Sequence, residues 1–521
     1  MSRMEFEDIL KQVGEYGWFQ KRLVYFFLIP ITIIFSILCM NTFFMLSQPD
    51  HWCTVPNARI QNLSAHEQHI LSRKPIPGTS KFESCSYYDI NYDVEVERLQ
   101  EFKERFNTSV GFKPKVESNK SIPCTTWTFD RSSYDSNAVI DLNLVCEKSH
   151  WKSLIQTIHG IGEVVGNPLF GFLADLFGRH TIMFTVIGCT LLSSFSPVVY
   201  TGLIVFTVCR FLNSATSASA FTLPYILVTE LVGPDHRTRM IGIAACCWTL
   251  GICILPGVAY LTRDWVLMTI IPAVAALPMF LLWNVVPESP RWLLSKERYQ
   301  DAYNVMANIA RVNGKEVPVD LMQQLISLNR EKEKTARSMS ISSRLSSGSK
   351  ASATSEVTGA VTTGSFLEIF KYPGLRKKFL ILLFCWTANV CAYRGLALNF
   401  ENFHGNEFIN WFLLSVVEFP SNLGSWMLME TRLGRRWTNC LSMFLGGIVL
   451  CLPCLLPNSF ESLIIYVSLV GKFLTNMAYN VAYQQTVELF PTPVRNQAMS
   501  YTTAFAAGAN FALPYLAALV G

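Results

Sequence analysis

Residues 171–180 have the sequence GFLADLFGRH and close an apolar run that is long enough to cross a membrane. Residues 428–437, LMETRLGRRW, close another such run in the second half of the chain. Both stretches contain a Gly-Arg pair at the same point, with Arg179 in the first and Arg435 in the second. A repeated motif of this kind predicts two helical units related by duplication.

A second match supports the duplication. Glu230 precedes Arg237 by seven residues after one apolar run, and Glu488 precedes Arg495 by seven residues after another. Two short matches at equivalent places in both halves are more specific than either match alone, so they favour a true repeat.

The composition indicates a membrane protein. The chain has 521 residues, of which 50% are hydrophobic and 16% are charged, and its mean hydropathy is +0.28. A soluble chain carries roughly 25% charged residues, which excludes a soluble enzyme, a disulfide-rich secreted module and a disordered scaffold. The net charge of +5 is too small to indicate nucleic acid as a partner. Apolar runs of about twenty residues, the length that spans a lipid bilayer, predict eleven spans at roughly 22–46, 153–177, 181–201, 203–229, 239–261, 266–286, 378–398, 409–429, 438–457, 461–488 and 497–520.

The basic residues of the short loops predict the orientation of these spans, because Lys and Arg mark the cytoplasmic side. They follow the second, fourth, eighth and tenth spans and are almost absent from the opposite loops. Residues 1–21 are therefore expected to be cytoplasmic, with no cleavable signal peptide, and residues 47–150 are expected to lie outside the cell. This pattern predicts a multi-pass protein of the plasma membrane.

The segment 47–150 carries two further signs of an extracellular position. It holds three Asn-x-Ser/Thr sequons, which are acceptor sites for glycosylation, at Asn62, Asn107 and Asn119. It also holds four cysteines that can form two disulfides in an oxidising compartment. They are Cys53, Cys85, Cys124 and Cys146, and the sequence leaves all three pairings open.

The domain organisation follows from the spans. Residues 22–287 are predicted to form a six-helix bundle that includes the extracellular segment, and residues 378–521 are predicted to form a second bundle. Between them, residues 288–377 form a basic cytoplasmic linker. It is predicted to hold amphipathic helices near 297–311 and 318–336, followed by a flexible segment rich in Ser, Thr and Gly.

Several motifs resemble those of a known family. GFLADLFGRH resembles the loop signature of the major facilitator superfamily. PESPRWLL (287–294), ELVGPDHRTR (230–239) and ELFPTPVRN (488–496) resemble the family of organic cation, organic anion and carnitine transporters, the solute carrier family 22 type. The resemblance implies an all-α membrane protein with the two-bundle fold of that superfamily. The family has twelve transmembrane helices, so this chain, which ends at Gly521, is expected to contain eleven of them and to lack the last.

The resemblance also implies interlocking salt bridges at the cytoplasmic ends of the two bundles, which break when the cavity opens inward. Partly buried ion pairs suit such a gate, because desolvation offsets much of their attraction and two arrangements are then close in energy. Ordinary positive-inside charge and helix-end capping are the alternative. The candidate gating residues are Asp175, Arg179, Arg210, Glu230, Arg237, Arg435, Lys472, Glu488 and Arg495.

Charged residues inside the predicted spans are costly and point to function. Glu418, in SVVEFPSNLG, resembles a Glu before Phe-Pro that lines the cavity of organic cation members, and there it would attract an ammonium group. Arg394 is its expected partner, either in a plain salt bridge or, together with Glu418, as a clamp for the two ends of a zwitterion. Tyr393 and Trp386, seven residues apart on one helical face, would add cation–π contacts, with helix packing as the alternative.

Three further features complete the candidate substrate site. Gln156 matches a cavity glutamine of cation members, and His159 and Glu163 on the same span can bond to each other. Cation members carry an Asp twelve residues after the last gating arginine, whereas anion or carnitine members carry an Arg. Here the position is Ala507, so the sign of the substrate's charge rests on Glu418 and Arg394 alone.

Together these features predict a polyspecific alternating-access transporter of small organic cations or zwitterions, such as carnitine-like or betaine-like amines. The sequence shows no ATP-binding motif, so transport is expected to be facilitative or driven by a coupling ion. An organic anion exchanger of the same family and a non-transporting receptor or assembly protein are the alternatives. Neither an enzyme, nor a metal site, nor a cofactor is predicted, because the sequence shows no metal-ligand cluster, phosphate loop or nucleophile motif.

Overall fold

A computed structural model describes residues 6–72, 74–75, 82–106, 112, 114–115, 121–195, 202–327, 370, 373–400, 403, 405–455, 461–490, 492–509 and 511–520. The main helices of this part of the chain are α1 (Phe6–Val13), α2 (Trp18–Met45), α3 (Ala58–Gln61), α4 (Ala65–Ser72), α5 (Tyr92–Phe106), α6 (Ala138–Leu142), α7 (Ser149–Phe177), α8 (Arg179–Ser194), α9 (Leu203–Glu230), α10 (Pro234–Thr262), α11 (Trp265–Leu282), α12 (Pro290–Ser295), α13 (Tyr299–Val312), α14 (Pro373–Leu398), α15 (Glu407–Val416), α16 (Glu418–Glu430), α17 (Gly434–Cys451), α18 (Glu461–Leu489), α19 (Thr492–Ala509) and α20 (Leu513–Val520). Its strands are β1 (His51–Cys53), β2 (Lys74–Pro75), β3 (Phe82–Glu83), β4 (Ser86–Tyr88), β5 (Ser121–Pro123) and β6 (Trp127–Phe129).

The chain divides into two compact units. One unit consists of residues 1–43, 153–259 and 267–521 and contains the long helices. The other unit consists of residues 44–152 and 260–266 and contains all six short strands.

Helices of the first unit occupy each of the eleven predicted spans. Among the described residues, five helices are long and apolar enough to cross a bilayer, namely Trp18–Met45, Leu203–Glu230, Pro234–Thr262, Trp265–Leu282 and Pro373–Leu398. Two of the other predicted spans are interrupted: the eighth is divided between α15 and α16, and the eleventh between α19 and α20. The count of eleven spans therefore stays a prediction.

Small residues allow α7 and α9 to pack closely. Gly162 and Gly166, four residues apart on α7, face Ser214 and Ala215 of α9, and a side chain at either glycine would collide with α9. Close approach through small residues is the usual way in which helices associate in lipid, where apolar burial alone gives no preference for a neighbouring helix. The contact places the polar residues of α7 beside those of α9.

The N-terminal segment is more structured than its sequence indicates. Phe6, Ile9, Leu10 and Val13 recur at helical spacing on α1 and are buried in the same apolar core as Ile309 of α13. This spacing is that of an amphipathic helix, so α1 joins the linker to the first half of the bundle. The expectation for residues 1–21 was only that they are polar and cytoplasmic, and it missed this helix.

The linker between the two halves contains the first predicted amphipathic helix, which is α13. The second was predicted for residues 318–336; a helix covers 321–327, where Leu321 and Leu325 are buried, and the remainder lies outside the described residues. The Ser-rich segment also lies outside them.

The second unit is built on antiparallel strand pairs, β1 with β6, β2 with β3, and β4 with β5. Disulfides join Cys53 to Cys124 and Cys85 to Cys146, which is one of the three pairings that the sequence allows. The strand register does not select this pairing, because the backbone N–H of Cys124 donates to the carbonyl of Cys85, a cysteine to which Cys124 is not bonded.

One of the three sequons lies among the described residues. Asn62 follows the end of α3 and is exposed, as a glycosylation site needs to be. Asn107 and Asn119 lie outside the described residues.

Candidate functional site

A break in the eighth predicted span positions Glu418. Pro420 has no backbone N–H to donate to the carbonyl of Val416, and its ring would collide with that carbonyl in a regular helix. Helix α15 accordingly ends at Val416, and α16 begins at Glu418. Val417, between the two helices, keeps a helical backbone, so the break is a kink that leaves Glu418 in the first turn of α16, where it is only 4% exposed.

The partner of Glu418 is Lys472, a residue of α18. The lysine Nζ lies 3.1 Å from Glu418 Oε1 and 3.2 Å from the centre of the Tyr393 ring. The ammonium group is thus held between a carboxylate and the negative face of an aromatic ring, the two groups that bind ammonium ions best.

A second ion pair joins the two halves of the bundle. One guanidinium nitrogen of Arg394, on α14, lies 2.9 Å and 2.8 Å from the two carboxylate oxygens of Glu163, on α7. His159, one turn earlier on α7, places its Nε2 3.8 Å from the same carboxylate, as the four-residue spacing predicts.

The predicted pairing of Glu418 with Arg394 is therefore wrong. Tyr393 and Arg394 are consecutive residues, so their side chains leave α14 about 100° apart. Tyr393 points towards Lys472, whereas Arg394 points towards Glu163 of the other half. Each carboxylate therefore pairs with a different cation, Glu418 with Lys472 and Glu163 with Arg394.

Trp386 packs between helices and does not border the Lys472 group. It is 1% exposed, its Nε1–H donates to Thr486 Oγ1 at 3.0 Å, and its ring meets that of Tyr479 edge-on at 5.0 Å. The packing alternative thus describes it better than a cation–π role. Gln156 is half-buried on α7, one turn before the His159–Glu163 pair.

A small cavity borders the Glu418–Lys472 pair. Its volume is about 20 Å³, and its lining includes Met40, Tyr393, Trp411, Glu418 and Lys472. A space of this size holds about one water molecule. Glu418 thus faces the interior of the bundle, as expected, but the space beside it must widen before an organic amine can enter.

The predicted cytoplasmic ends of both halves carry ion pairs. Arg179 lies 3.2 Å from Asp175 and 2.9 Å from Glu230 in the first half. Arg435 lies 2.7 Å from Glu488 in the second half. All three distances join residues of the same half, so the pairs strengthen each half internally in this arrangement.

Glu288, in the PESPRWLL motif, binds the same end of the first half. Its carboxylate accepts hydrogen bonds from the backbone N–H groups of Arg179 and His180, the first residues of α8. This is N-terminal capping of a helix by a carboxylate. The motif therefore ties the start of the linker to the loop that follows the second predicted span.

Two proposed gating residues lie far from the predicted cytoplasmic ends. Arg210 is fully buried and precedes Glu230 by twenty residues on α9, about 30 Å at 1.5 Å per residue. Lys472 precedes Glu488 by sixteen residues on α18, about 24 Å. Their assignment to the cytoplasmic cluster is wrong, because a helix separates residues in proportion to their distance in sequence.

The last two proposed gating residues are Arg237 and Arg495. Arg237 pairs with Glu7 of α1 at 3.5 Å, and Arg291 of α12 binds the same carboxylate. The neighbouring charges of Arg291 and Arg237 lower the pKa of Glu7 against the opposing effect of burial, which is the largest single influence. The side chain of Arg495 lies outside the described residues.

Sequence reasoning missed a polar stripe along α18. Its members recur at every fourth position, so that each lies beside the next along a stripe that winds slowly around the helix: Lys472, Asn476, Asn480, Gln484 and Glu488. The amides of Asn476 and Asn480 both donate to Asn422 of α16, at 3.0 Å and 2.7 Å. The sequence signal for this stripe was the four-residue spacing. Counting along it would have shown that Lys472 lies sixteen residues before Glu488 and so far from the cytoplasmic cluster.

Metal binding has no support among the described residues, which contain no group of three or more His, Cys, Asp or Glu side chains able to hold an ion. The charged groups of the site instead form two matched pairs, Glu418 with Lys472 and Glu163 with Arg394. Such an arrangement can exchange its internal partners for the charged groups of a ligand.

Comparison with known proteins places these observations in context. The family described as "Sugar (and other) transporter" matches residues 88–520. The organic cation transporter protein of Drosophila melanogaster is 29% identical over 518 residues, covering 98% of this chain and 86% of its own. The beta-alanine transporter of the same organism is also 29% identical, with 98% and 82% covered. The human organic cation/carnitine transporter 2 is 27% identical, with 98% and 86% covered.

Solved structures show the same fold. The proton:xylose symporter XylE bound to 6-bromo-6-deoxy-D-glucose aligns with a TM-score of 0.52 at 16% identity, covering 72% of this chain and 80% of its own. XylE from E. coli in its inward-open conformation aligns with a TM-score of 0.51 at 14% identity, covering 72% and 81%. These matches confirm the all-α fold expected from the loop motifs.

Proposed function

Because the chain belongs to the Sugar (and other) transporter family of the major facilitator superfamily, and is therefore an integral membrane transporter and not an enzyme, we propose that it carries small organic cations or zwitterions across the plasma membrane. Support comes from relatives named for organic cations, carnitine and beta-alanine, which match this chain over nearly its whole length. Their names describe those proteins; the substrate of this chain is our inference.

The observation that carries the proposal is the presence of two ion pairs inside an apolar bundle. Charged side chains at membrane depth are rare and cost roughly 2.5–3.5 kcal/mol each on insertion scales. Replacing a buried ion pair by apolar residues is often neutral or stabilising, so such a pair is weak evidence for a purely structural role. Glu418 with Lys472 and Glu163 with Arg394 would therefore serve transport, either in contact with a charged substrate or in the change between the closed and open arrangements.

The contacts between the halves support transport by alternating access. Ser153 and Thr157 on α7 donate to the carbonyls of Pro514 and Phe511 in the second half, at 3.3 Å and 3.2 Å. The indole N–H of Trp411 donates to the carbonyl of Ile252 at 3.2 Å. These residues belong to the predicted outer halves of their spans, whereas the ion pairs at the predicted cytoplasmic ends stay within one half. In this arrangement the outer side would be held closed by these hydrogen bonds together with the Glu163–Arg394 ion pair between the halves.

The same proposal includes the orientation of the chain. Residues 1–21 would be cytoplasmic and residues 47–150 extracellular, where the sequons would be glycosylated and the paired cysteines would stay oxidised. The basic loops support this orientation, and the exposed position of Asn62 supports a modified site. A coupling ion would drive uptake if transport is concentrative. An anion exchanger is less well supported, since the relatives compared above are named for organic cations, carnitine and beta-alanine.

Uptake of labelled amines by cells that express the chain tests the proposal. Glu418→Gln keeps the size of the side chain and removes its charge, so it is expected to abolish uptake when uptake is normalised to the amount of protein at the cell surface. Glu430→Gln, at the exposed end of the same helix, is the matched control and is expected to transport normally. Equal uptake by both variants would overturn the assigned role of Glu418.

A further inference from the structure

The ammonium group of Lys472 occupies the place where the positive group of a substrate would bind. Its Nζ lies 3.1 Å from the Glu418 carboxylate and 3.2 Å from the centre of the Tyr393 ring. A carboxylate and an aromatic face are also the groups that recognise free ammonium and quaternary amines. The chain thus carries a cation of its own, tethered by the flexible lysine stem, in its own cation site.

The neighbouring space is too small to hold a second ammonium group beside the first. The cavity lined by Tyr393, Glu418 and Lys472 has a volume of about 20 Å³, which is room for about one water molecule. A substrate can therefore reach the Glu418 carboxylate only when the Lys472 side chain moves off it. The four-carbon stem of lysine, with its rotatable bonds, allows that movement.

We propose that Lys472 is a specificity-determining residue that selects for substrates carrying a carboxylate as well as an ammonium group, and against substrates that carry only a positive charge. The inference rests on the proposed function of the same site. Lys472 adds a requirement for a carboxylate on the substrate, which Glu418 alone does not impose.

Charge balance gives the physical reason. When a simple cation takes Glu418, Lys472 remains as a buried charge with no partner, and an unpaired buried charge is strongly unfavourable. When a zwitterion enters, its ammonium group takes Glu418 and Tyr393 while its carboxylate takes Lys472, so every charge stays paired. The site is neutral before binding and neutral afterwards.

The second ion pair does not relax this requirement. The carboxylate of Glu163 is bound through both oxygens by Arg394 and is also near His159 Nε2. It therefore offers no free negative charge to a simple cation. The selection falls on the Glu418–Lys472 pair.

Two probes that differ only in the carboxylate test the inference in the full-length chain. They are labelled 4-(trimethylammonio)butanoate, a zwitterion, and labelled butyltrimethylammonium, its cationic counterpart. The wild-type chain is expected to half-saturate with the zwitterion at a concentration at least about tenfold lower, a difference of about 1.4 kcal/mol. Lys472→Met, which keeps the length of the stem and removes the charge, is expected to reverse that preference.

Two further variants serve as controls. Lys472→Arg keeps the positive charge and is expected to keep the preference for the zwitterion. Lys103→Met removes a lysine whose Nζ lies 2.7 Å from Glu67 in the second unit, and it is expected to leave the preference as in the wild type. The second control shows whether the loss of any Lys–Glu pair changes the preference, or only the loss of the Lys472–Glu418 pair.

The outcomes separate the inference from the function on which it rests. Equal half-saturation of the wild type by both probes, with no change in Lys472→Met, would overturn the role of Lys472 and leave the transport function standing. Transport of neither probe, nor of any other amine, by the wild type would overturn the proposed function itself. Thermal stabilisation of the purified wild type by each probe tests the same preference without a variant, and equal stabilisation by both would refute it.

Discussion

Replacing Glu163 by Gln tests whether the ion pair between the halves holds the outer side closed. The guanidinium of Arg394 lies 2.8 Å from the Glu163 carboxylate, and the two side chains are 20% and 14% exposed. Coulomb's law at an effective dielectric constant of about 20 gives roughly 6 kcal/mol of gross attraction at this distance. Desolvation and partial screening offset much of it, which leaves about 2–3 kcal/mol to be lost when one partner is removed.

That loss shifts the balance between the closed and open arrangements. At 1.4 kcal/mol per factor of ten, a loss of about 2–3 kcal/mol raises the population open to the outside by roughly 30- to 150-fold. Cys39 reports this change, because it is 5% exposed and its Sγ lies 4.0 Å from Glu163 Oε1. A membrane-impermeant thiol reagent added outside the cell is expected to label Cys39 faster in Glu163→Gln by a comparable factor.

The controls use the same labelling reaction. In a Cys39→Ala background the added labelling must vanish, and Glu430→Gln, an exposed residue in the other half, must label as the wild type does. The charge exchange Glu163→Arg with Arg394→Glu is expected to restore slow labelling. A labelling rate in Glu163→Gln within about twofold of the wild type, with Cys39 still reactive after unfolding, would refute the role of this pair.

Three further predictions concern other parts of the chain. The hydrogen bond from Lys103, helped by Ser64, lowers the pKa of Glu67 from 4.5 to about 2 against the opposing effect of burial; since this pKa is depressed on folding, the stabilisation is full above pH 4.5 and is lost as the pH falls towards 2. Lys103→Met should therefore reduce the change in the thermal unfolding midpoint between pH 5 and pH 2. A pH dependence equal to that of the wild type would contradict the assignment. Mass mapping of unreduced peptides should link Cys53 to Cys124 and Cys85 to Cys146, and removal of either disulfide should cost about 2–5 kcal/mol of unfolding free energy; a peptide linking Cys53 to Cys85 would disprove this pairing. The amide of Asn313 donates to the carbonyl of Gly14 and to the side chain of Gln20, and its oxygen accepts from the N–H of Phe19. Asn313→Ala should therefore lower the free energy of unfolding by about 1–3 kcal/mol and make α1 accessible to protease. Asn304→Ala, on the exposed face of α13, should do neither.

The sequence was sufficient for the fold because length and hydrophobicity decide it. An apolar run of twenty residues has few alternatives to a membrane helix, and GFLADLFGRH carried the family resemblance that the comparisons then confirmed. The contact of Arg179 with Asp175 and Glu230 was also predictable, while its gating role stays a prediction. It joins residues at neighbouring helix ends, where the repeat places them.

The partners of the buried charges could not be predicted in the same way. Tyr393 and Arg394 are adjacent in sequence but face different helices, so the choice between Glu163 and Glu418 depends on the rotation of α14. Lys472 was grouped with the cytoplasmic charges because it shares a helix with Glu488, although sixteen residues separate them. Counting residues at four-residue spacing along α18 would have corrected that placement.

Some features depended on contacts between distant parts of the chain. The disulfide pairing depends on which cysteines the fold of the second unit brings together, and the cysteine spacing does not encode it. The packing of α1 against α13 depends on Asn313, nearly 300 residues away from the segment that it binds. Packing of this kind is invisible to patterns that cover only one helix.

The uptake of a labelled amine by Glu418→Gln, measured at equal surface abundance, tests the central claim most directly. That claim is that the acidic side chain at the start of α16 binds the positive group of the cargo. The account predicts that clearance falls by at least about tenfold, the equivalent of 1.4 kcal/mol of lost interaction, while Glu430→Gln is unaffected. Clearance by Glu418→Gln equal to that of the wild type would contradict it.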